Sequence, residues 1–345
     1  MKHPQRLQQK LLQKKLQNNY VFCRPQFFLW AVFVGVILIN RKDKILGPFY
    51  CILAAVVWGL SFVAQSEGAS IGTFTFNGLR TVLGGIVLLP LVALSFKKEN
   101  SGLPAQEKKK FPIKDVVIGG ICCGLPLFIG GNLQQHAFNY LYVGKVGFIT
   151  ALYMVIVPLF GLFLKRKLKI NIWTGVALGV VGLYFLSVKK GDFSVGTGEL
   201  VTILCSFAFA AHILVIDYFC QRVNNIALSC AQFFFAGILS VICMFIFEEP
   251  KIDEILSAWL PLVYAGVGSC GIAFTAQIFG QKYTNPTVAS VLLCLESVFS
   301  VLFGWLILDQ SLDSRGYLGC IIMFAAVILT QLPQEWFDFK KKKAQ

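Results

Sequence analysis

Between Gly47 and Leu332 the sequence falls into apolar runs of roughly 18 to 24 residues, broken by short polar connections. At about 1.5 Å per residue, each run is long enough to cross a hydrocarbon core of about 30 Å as a helix. The runs are continuous, whereas strands of a membrane barrel alternate over about ten residues. Ten spans are predicted, at residues 48–66, 73–96, 115–137, 143–164, 170–188, 198–219, 226–247, 256–280, 286–308 and 316–332. The expected fold class is all-α integral membrane, with ten transmembrane helices. Charge content agrees: 14% of residues are charged, against about 25% for a soluble domain.

The net charge of +14 raises the question of nucleic acid, and the placement of the charges answers it. If the first span runs from inside to outside, the cytoplasmic connections and tail hold 19 Lys and Arg residues and the outer connections five. The outer side also carries Glu248, Glu249, Asp253 and Glu254. That asymmetry is the positive-inside rule, and it predicts a cytoplasmic C-terminus. The basic excess therefore reports topology, and no nucleic-acid partner is expected. The eleven cysteines, most of them inside apolar runs, have neither zinc spacing nor a disulfide framework.

Residues 1–46 form a basic extension whose apolar stretch Gln26–Ile39 is short for a span and basic on both flanks. It reads as an interfacial helix on the cytoplasmic side, with an eleventh span or a start placed too far upstream as alternatives. Residues 333–345 read as a basic cytoplasmic tail.

The two halves of the span region resemble one another. "FLKRKLKINIWTG" (Phe163–Gly175) matches "ILDQSLDSRGYLG" (Ile307–Gly319) at a shift of 144 residues, aligning Leu168 with Leu312, Trp173 with Tyr317 and Gly175 with Gly319. Each segment joins the fourth span of its half to the fifth. With five spans per half, equivalent helices run in opposite directions, so residues 47–188 and 198–332 are expected to be inverted-topology repeats. Such repeats favour alternating access.

Four stretches then carry a family likeness: "WGLSFVAQ" (Trp58–Gln65), "FNGLRTVLGG" (Phe76–Gly85), "LQQHAFNYLYVGKVGFITALYMVIVPLF" (Leu133–Phe160) and "GQKYTNPTVASVLLCLESVFSVLFGWLIL" (Gly280–Leu308). Together they resemble the EamA-type transporters of the drug/metabolite transporter superfamily. The resemblance implies a multi-pass carrier of the bacterial cytoplasmic membrane that exports small metabolites such as amino acids. The chain departs from the family pattern at Ser297, Arg166 and Gln310.

Polar groups inside the spans mark the candidate site. Arg80 falls near one-third depth in the second span, and Glu296 near the centre of the ninth. A charge at such depth costs about 2.5 kcal/mol or more, so each should face a partner or a wet cavity. Two readings follow: an ion pair that only locks helices, or a site where Arg80 holds an anionic group and Glu296 an amine or a proton. Gln134 and Gln277 can donate and accept hydrogen bonds there, and Tyr153 and Trp58 are deep enough to line a pocket. His136 reads as interfacial and His212 as a weaker candidate. Gly59, Gly84–Gly85 and Gly130–Gly131 allow close helix approach.

No nucleophile elbow, P-loop or metal-spaced cluster appears, so no cofactor, metal or ATP is expected. The expected function is a secondary transporter, not an enzyme, with a small-molecule metabolite and the lipid bilayer as partners and Glu296 as the candidate for proton coupling. The alternative is a membrane-embedded enzyme or a structural membrane protein in which Arg80 and Glu296 are merely a strut.

Overall fold

The computed structural model describes residues 43–101, 104, 106, 107, 110–163, 170–187, 196–309 and 314–332. The chain divides into two compact units, residues 1–46 and 47–345, and the helical body below is the second. The segment Gln26–Ile39, most of the loop that carried the repeat match, and the C-terminal tail lie outside the described residues.

Every described element is helical. The first span is α1 (Asp43–Glu67), the second α2 (Thr73–Glu99) and the third α3 (Ile113–Ala137). The fourth is split into α4 (Val143–Thr150) and α5 (Tyr153–Phe163), and the fifth is α6 (Ile170–Ser187). The second half begins with α7 (Thr197–Phe219) and α8 (Asn225–Phe247), the sixth and seventh spans. A surface turn, α9 (Ile252–Ser257), leads into the eighth span: α10 (Trp259–Val263), a π-helical stretch (Tyr264–Phe274) and α11 (Thr275–Tyr283). The ninth span is α12 (Pro286–Leu293) and α13 (Leu295–Leu308), and the tenth is α14 (Ser314–Gln331). Eight of these segments are long and apolar enough to cross a membrane, and Ile170–Phe185 and Ser314–Thr330 are shorter apolar helices. Among the described residues these make ten apolar segments, with boundaries a few residues from those of the ten expected spans.

Local chemistry explains several helix starts. Asn224 accepts hydrogen bonds from the backbone N–H groups of Ile226 and Ala227, at 3.0 and 3.1 Å. Asn285 caps α12 in the same way through Thr287, with Pro286 at the first helical position, where a missing N–H costs nothing. The start of α2 lacks a local cap, because Gly72 precedes it at φ +104°. A distant residue supplies one. The Glu248 carboxylate at the end of α8 accepts from Phe74 N at 2.9 Å, Thr75 N at 2.8 Å and Thr75 Oγ1 at 2.7 Å.

Packing repeats in the two halves. Spans 3 and 6 lie together, as do 8 and 1; the second and seventh spans pair, and the fifth and tenth pair. Small residues allow close crossings: a Cβ on Gly280 would lie 2.6 Å from Cys51 Sγ between spans 8 and 1, and one on Gly59 2.3 Å from Phe299 Cβ between spans 1 and 9. Closely packed backbones replace the hydrophobic driving force that lipid does not supply between helices.

Spans 4 and 9, expected as continuous helices, are both broken. Helices α4 and α12 are each eight residues long and lie 143 residues apart at both ends. In span 4 the backbone tightens into i−3 bonds: Leu152 N donates to Ile149 O and Met154 N to Ala151 O. In span 9, Ser290 Oγ, Cys294 Sγ, Ser297 Oγ and Ser300 Oγ each donate to the carbonyl three residues earlier. Such back-bonding competes with the helical ladder and bends it. The repeat shift becomes 144 by the start of the fifth and tenth spans, Ile170 and Ser314, as the sequence match implied.

Candidate functional site

The two broken helices meet a cavity of about 40 Å³ between the halves. It is lined by all six residues singled out from the sequence, namely Trp58, Arg80, Gln134, Tyr153, Gln277 and Glu296, together with Phe62, Gln65, Leu127, Gly131, Thr150, Phe209, His212, Ile213, Ser269, Phe274 and Leu293. That is room for a few waters, at about 10–15 Å³ each, so a solute of metabolite size enters only as the helices part. The 143-residue shift pairs eight of the lining residues: Gly131 with Phe274, Gln134 with Gln277, Thr150 with Leu293, and Tyr153 with Glu296. The cavity thus sits where equivalent positions of the two repeats face one another, and its charge is asymmetric because one member of a pair is a phenol and the other a carboxylic acid.

Arg80 is 4% exposed. Its Nε donates to Asn77 Oδ1 at 2.9 Å, one helical turn away, and its guanidinium lies 5.8 Å from the Phe76 ring centroid. Asn77 in turn donates to Ser240 Oγ at 3.4 Å, and Asn132 Nδ2 reaches the same hydroxyl at 2.9 Å. Spans 2, 3 and 7 therefore share one polar network that fixes where the cation stands.

Glu296 is also 4% exposed and sits in the first turn of α13, just beyond the break at Cys294. The Tyr153 hydroxyl is an electrostatic neighbour of its carboxyl group. The two groups stand close enough to interact, but Glu296 Oε1 and Tyr153 OH make no hydrogen bond of good geometry. Of the two readings of Arg80 and Glu296, the strut is not supported by the geometry: the two side chains form no ion pair, unlike Lys145–Glu199 and Lys251–Glu254. Asn77 holds the guanidinium from its own helix, and the break in span 9 puts the carboxylate beside Tyr153 instead.

The cavity wall carries more orphaned atoms. Trp58 Nε1, Gln65 Oε1 and Gln277 Oε1 are buried without partners, so five polar atoms of five different lining residues converge unpaired. Buried polar groups are hydrogen-bonded in the great majority of cases, so these atoms call for partners such as water or a bound solute. Gln134 Nε2 donates weakly to Thr150 Oγ1 at 3.3 Å. Between the orphans run aromatic surfaces: Trp58 meets Phe274 edge-on at 4.7 Å, and Phe274 also contacts His212 at 5.8 Å and Phe233 at 5.6 Å.

His212 was the weaker candidate by sequence, yet it lines the cavity, with Nε2 2.9 Å from Gln232 Oε1. Asp217, five residues on, does not line it. His136 stands at the helix end near Thr73 Oγ1 and Tyr140 OH, each at 3.4 Å, as an interfacial residue would. Gln135 and Gln281 brace helices: their amides donate to Gln65 O at 2.9 Å and Ile213 O at 2.7 Å. The residues missed carried a readable signal. Phe62 and Gln65 follow the named Trp58 at i+4 and i+7, and Phe209 and Ile213 flank His212 at i−3 and i+1, so each set occupies one helical face.

The fold and the cavity define a polytopic α-helical membrane protein built from two repeats around a polar, aromatic-walled chamber. A family model described as the EamA-like transporter family matches residues 45–188 and again residues 196–332, and the chain belongs to that family. An uncharacterized transporter of Archaeoglobus fulgidus is 29% identical over 282 residues, covering 81% of this chain and 84% of that one. The uncharacterized inner membrane transporter YedA of Escherichia coli (strain K12) is 24% identical over 293 residues, covering 83% and 90%. The aromatic amino acid exporter YddG of Ancylobacter novellus is 26% identical over 186 residues, covering 50% of this chain and 63% of that one. A protein crystal structure shares the fold at a TM-score of 0.68 and 21% identity, covering 87% of this chain and all of that one.

Proposed function

We propose that this protein is a secondary transporter that exports small zwitterionic metabolites with an apolar or aromatic side chain. It works by alternating access of residues 47–188 against residues 198–332, in a bacterial cytoplasmic membrane with its C-terminus inside. Arg80 takes the substrate carboxylate, Glu296 with Tyr153 takes its ammonium, and Trp58, Phe62, Phe209 and Phe274 take the side chain. The observation that carries this reading is that five residues with an unpartnered polar atom, and a guanidinium with no counter-ion, line a single aromatic-walled cavity. Four of those atoms are oxygens, one of them a carboxylate oxygen, so their side of the cavity suits a donor such as an ammonium. The Lys and Arg asymmetry supports the orientation, and the similarity to the aromatic amino acid exporter of Ancylobacter novellus supports export of aromatic amino acids. Proton coupling through Glu296 belongs to the same reading, since the carboxyl can carry either a proton or the substrate amine.

The test is counterflow in proteoliposomes. Internal unlabelled phenylalanine should drive uptake of labelled phenylalanine, whereas phenylalanine amide and phenylpropionate, which lack one charge each, should exchange at least tenfold more slowly. A site that hydrogen-bonds a group rejects the analogue lacking it, because the site's own polar atoms are left unpaired. Equal exchange of all three compounds, or of none, would refute the assignment.

A further inference from the structure

Away from the central cavity, the ends of five spans enclose an open cleft whose lining includes three exposed cations. They come from separate parts of the chain: Lys110 precedes α3, Arg222 lies between α7 and α8, and Lys282 ends α11. We propose that this cleft binds a phosphate-bearing anion, and that its resident in the membrane is the headgroup of an anionic phospholipid.

Four observations carry the proposal. The first is charge. Against three cations the lining has one carboxylate, Glu99, which is engaged by the Asn224 amide at 2.5 Å. Two acidic groups stand outside the lining: Asp115 in the first turn of α3, and Asp217, which with Lys282 acts on Cys220. The second is preorganisation. The Arg222 guanidinium is stacked 3.6 Å from the Tyr218 ring centroid and donates through Nη1 to the Tyr218 carbonyl, while Gln221 Nε2 holds the Lys282 carbonyl at 2.7 Å. The third is the start of α3, a helix of 25 residues whose N-cap, Pro112, offers no side-chain cap and lines the cleft. The positive end of a helix dipole and its first free N–H groups favour phosphate. The fourth is depth. Leu94 is 61% exposed, Ile113 65% and Tyr218 53%, so the cations stand just beyond a lipid-facing apolar band, at headgroup level. Basic pockets between transmembrane helices recognise anionic headgroups by this combination.

The experiment uses the full chain, purified and incorporated into nanodiscs of phosphatidylcholine with or without phosphatidylglycerol, and reads retained lipid by native mass spectrometry. Lys110→Ala, Arg222→Ala and Lys282→Ala should each lower phosphatidylglycerol retention about fivefold, the effect of about one basic residue near the surface. Arg222→Lys should lose less than Arg222→Ala. The pair Lys97→Ala and Lys98→Ala, on the same membrane face but outside the cleft lining, should change retention little. Inorganic phosphate is the second arm: competition at millimolar concentration assigns the site to free phosphate, and no competition assigns it to lipid. Either result supports a phosphate-bearing ligand. Equal loss in the Lys97/Lys98 control overturns the proposal, since it would reduce the effect to general surface charge. An unchanged lipid count with altered phenylalanine exchange would overturn it too, by making the cleft part of the substrate path.

Discussion

Replacing Asn77 separates the two things Arg80 could be doing. Its Oδ1 is the acceptor for Arg80 Nε at 2.9 Å, on a guanidinium that is 4% exposed and has no carboxylate within ion-pair distance. Asn77→Ala removes a hydrogen bond to a charged donor, worth about 1.5–3 kcal/mol, and leaves a buried N–H unpaired. Asn77→Asp keeps the shape but gives the cation a counter-ion at hydrogen-bond distance, and Ser240 can turn its hydroxyl from acceptor to donor. Leaving a buried charge uncompensated costs about 3–5 kcal/mol where such pairs have been broken, so part of that should be recovered here. The expected outcome is an Asp variant about 1–3 kcal/mol more stable than the Ala variant by denaturant titration in micelles. Its phenylalanine exchange should nevertheless fall at least tenfold, because Arg80 is now neutralised from within its own helix. A factor of ten is about 1.4 kcal/mol, less than one charge-assisted hydrogen bond to a substrate carboxylate. Retained exchange in the Asp variant would refute the role given to Arg80. An Asp variant no more stable than Ala would refute the account of its burial.

Three further outcomes follow from the geometry. Glu296→Gln should abolish flux driven by a pH gradient in proteoliposomes while leaving part of the solute exchange; flux that stays pH-driven would remove Glu296 from coupling. Glu248→Ala takes three accepted hydrogen bonds from the start of α2, and unfolding titrations should show a loss of about 2 kcal/mol or more, above the range of a single lost cap. Gly59→Ala places a methyl 2.3 Å from Phe299 Cβ and 2.8 Å from its carbonyl carbon, so destabilisation of about 1–3 kcal/mol is expected, with loss of transport. A neutral Gly59→Ala would show that this crossing is looser than its packing indicates.

The relation between sequence and structure is clearest at the fourth and ninth spans. Their existence and length were legible, because lipid imposes one requirement on every residue of a span. Their interruption was not. The back-bonding serines and cysteine are visible as residue types, but hydroxyls in a membrane helix are usually accommodated without a break. Arg80 and Glu296 were likewise legible as charges out of place, while their pairing was not. The choice between Asn77 and Glu296 as the partner of Arg80 depends on side-chain direction and helix rotation, which apolar runs leave undetermined.

The amino-acid sequence by itself determined the solvent of this chain, the ten spans and the kinship of its two halves, and it marked the costly polar residues. These are properties of single segments, set by hydrophobicity and charge and independent of what packs where. Tertiary structure alone decided that equivalent residues of the two repeats face one cavity, that Tyr153 stands opposite Glu296, and that five polar atoms are left there without partners. The physical reason is that satisfaction of a buried polar group is a property of pairs. Whether an oxygen at a given position has a donor within about 3 Å is fixed when helices cross, and not before.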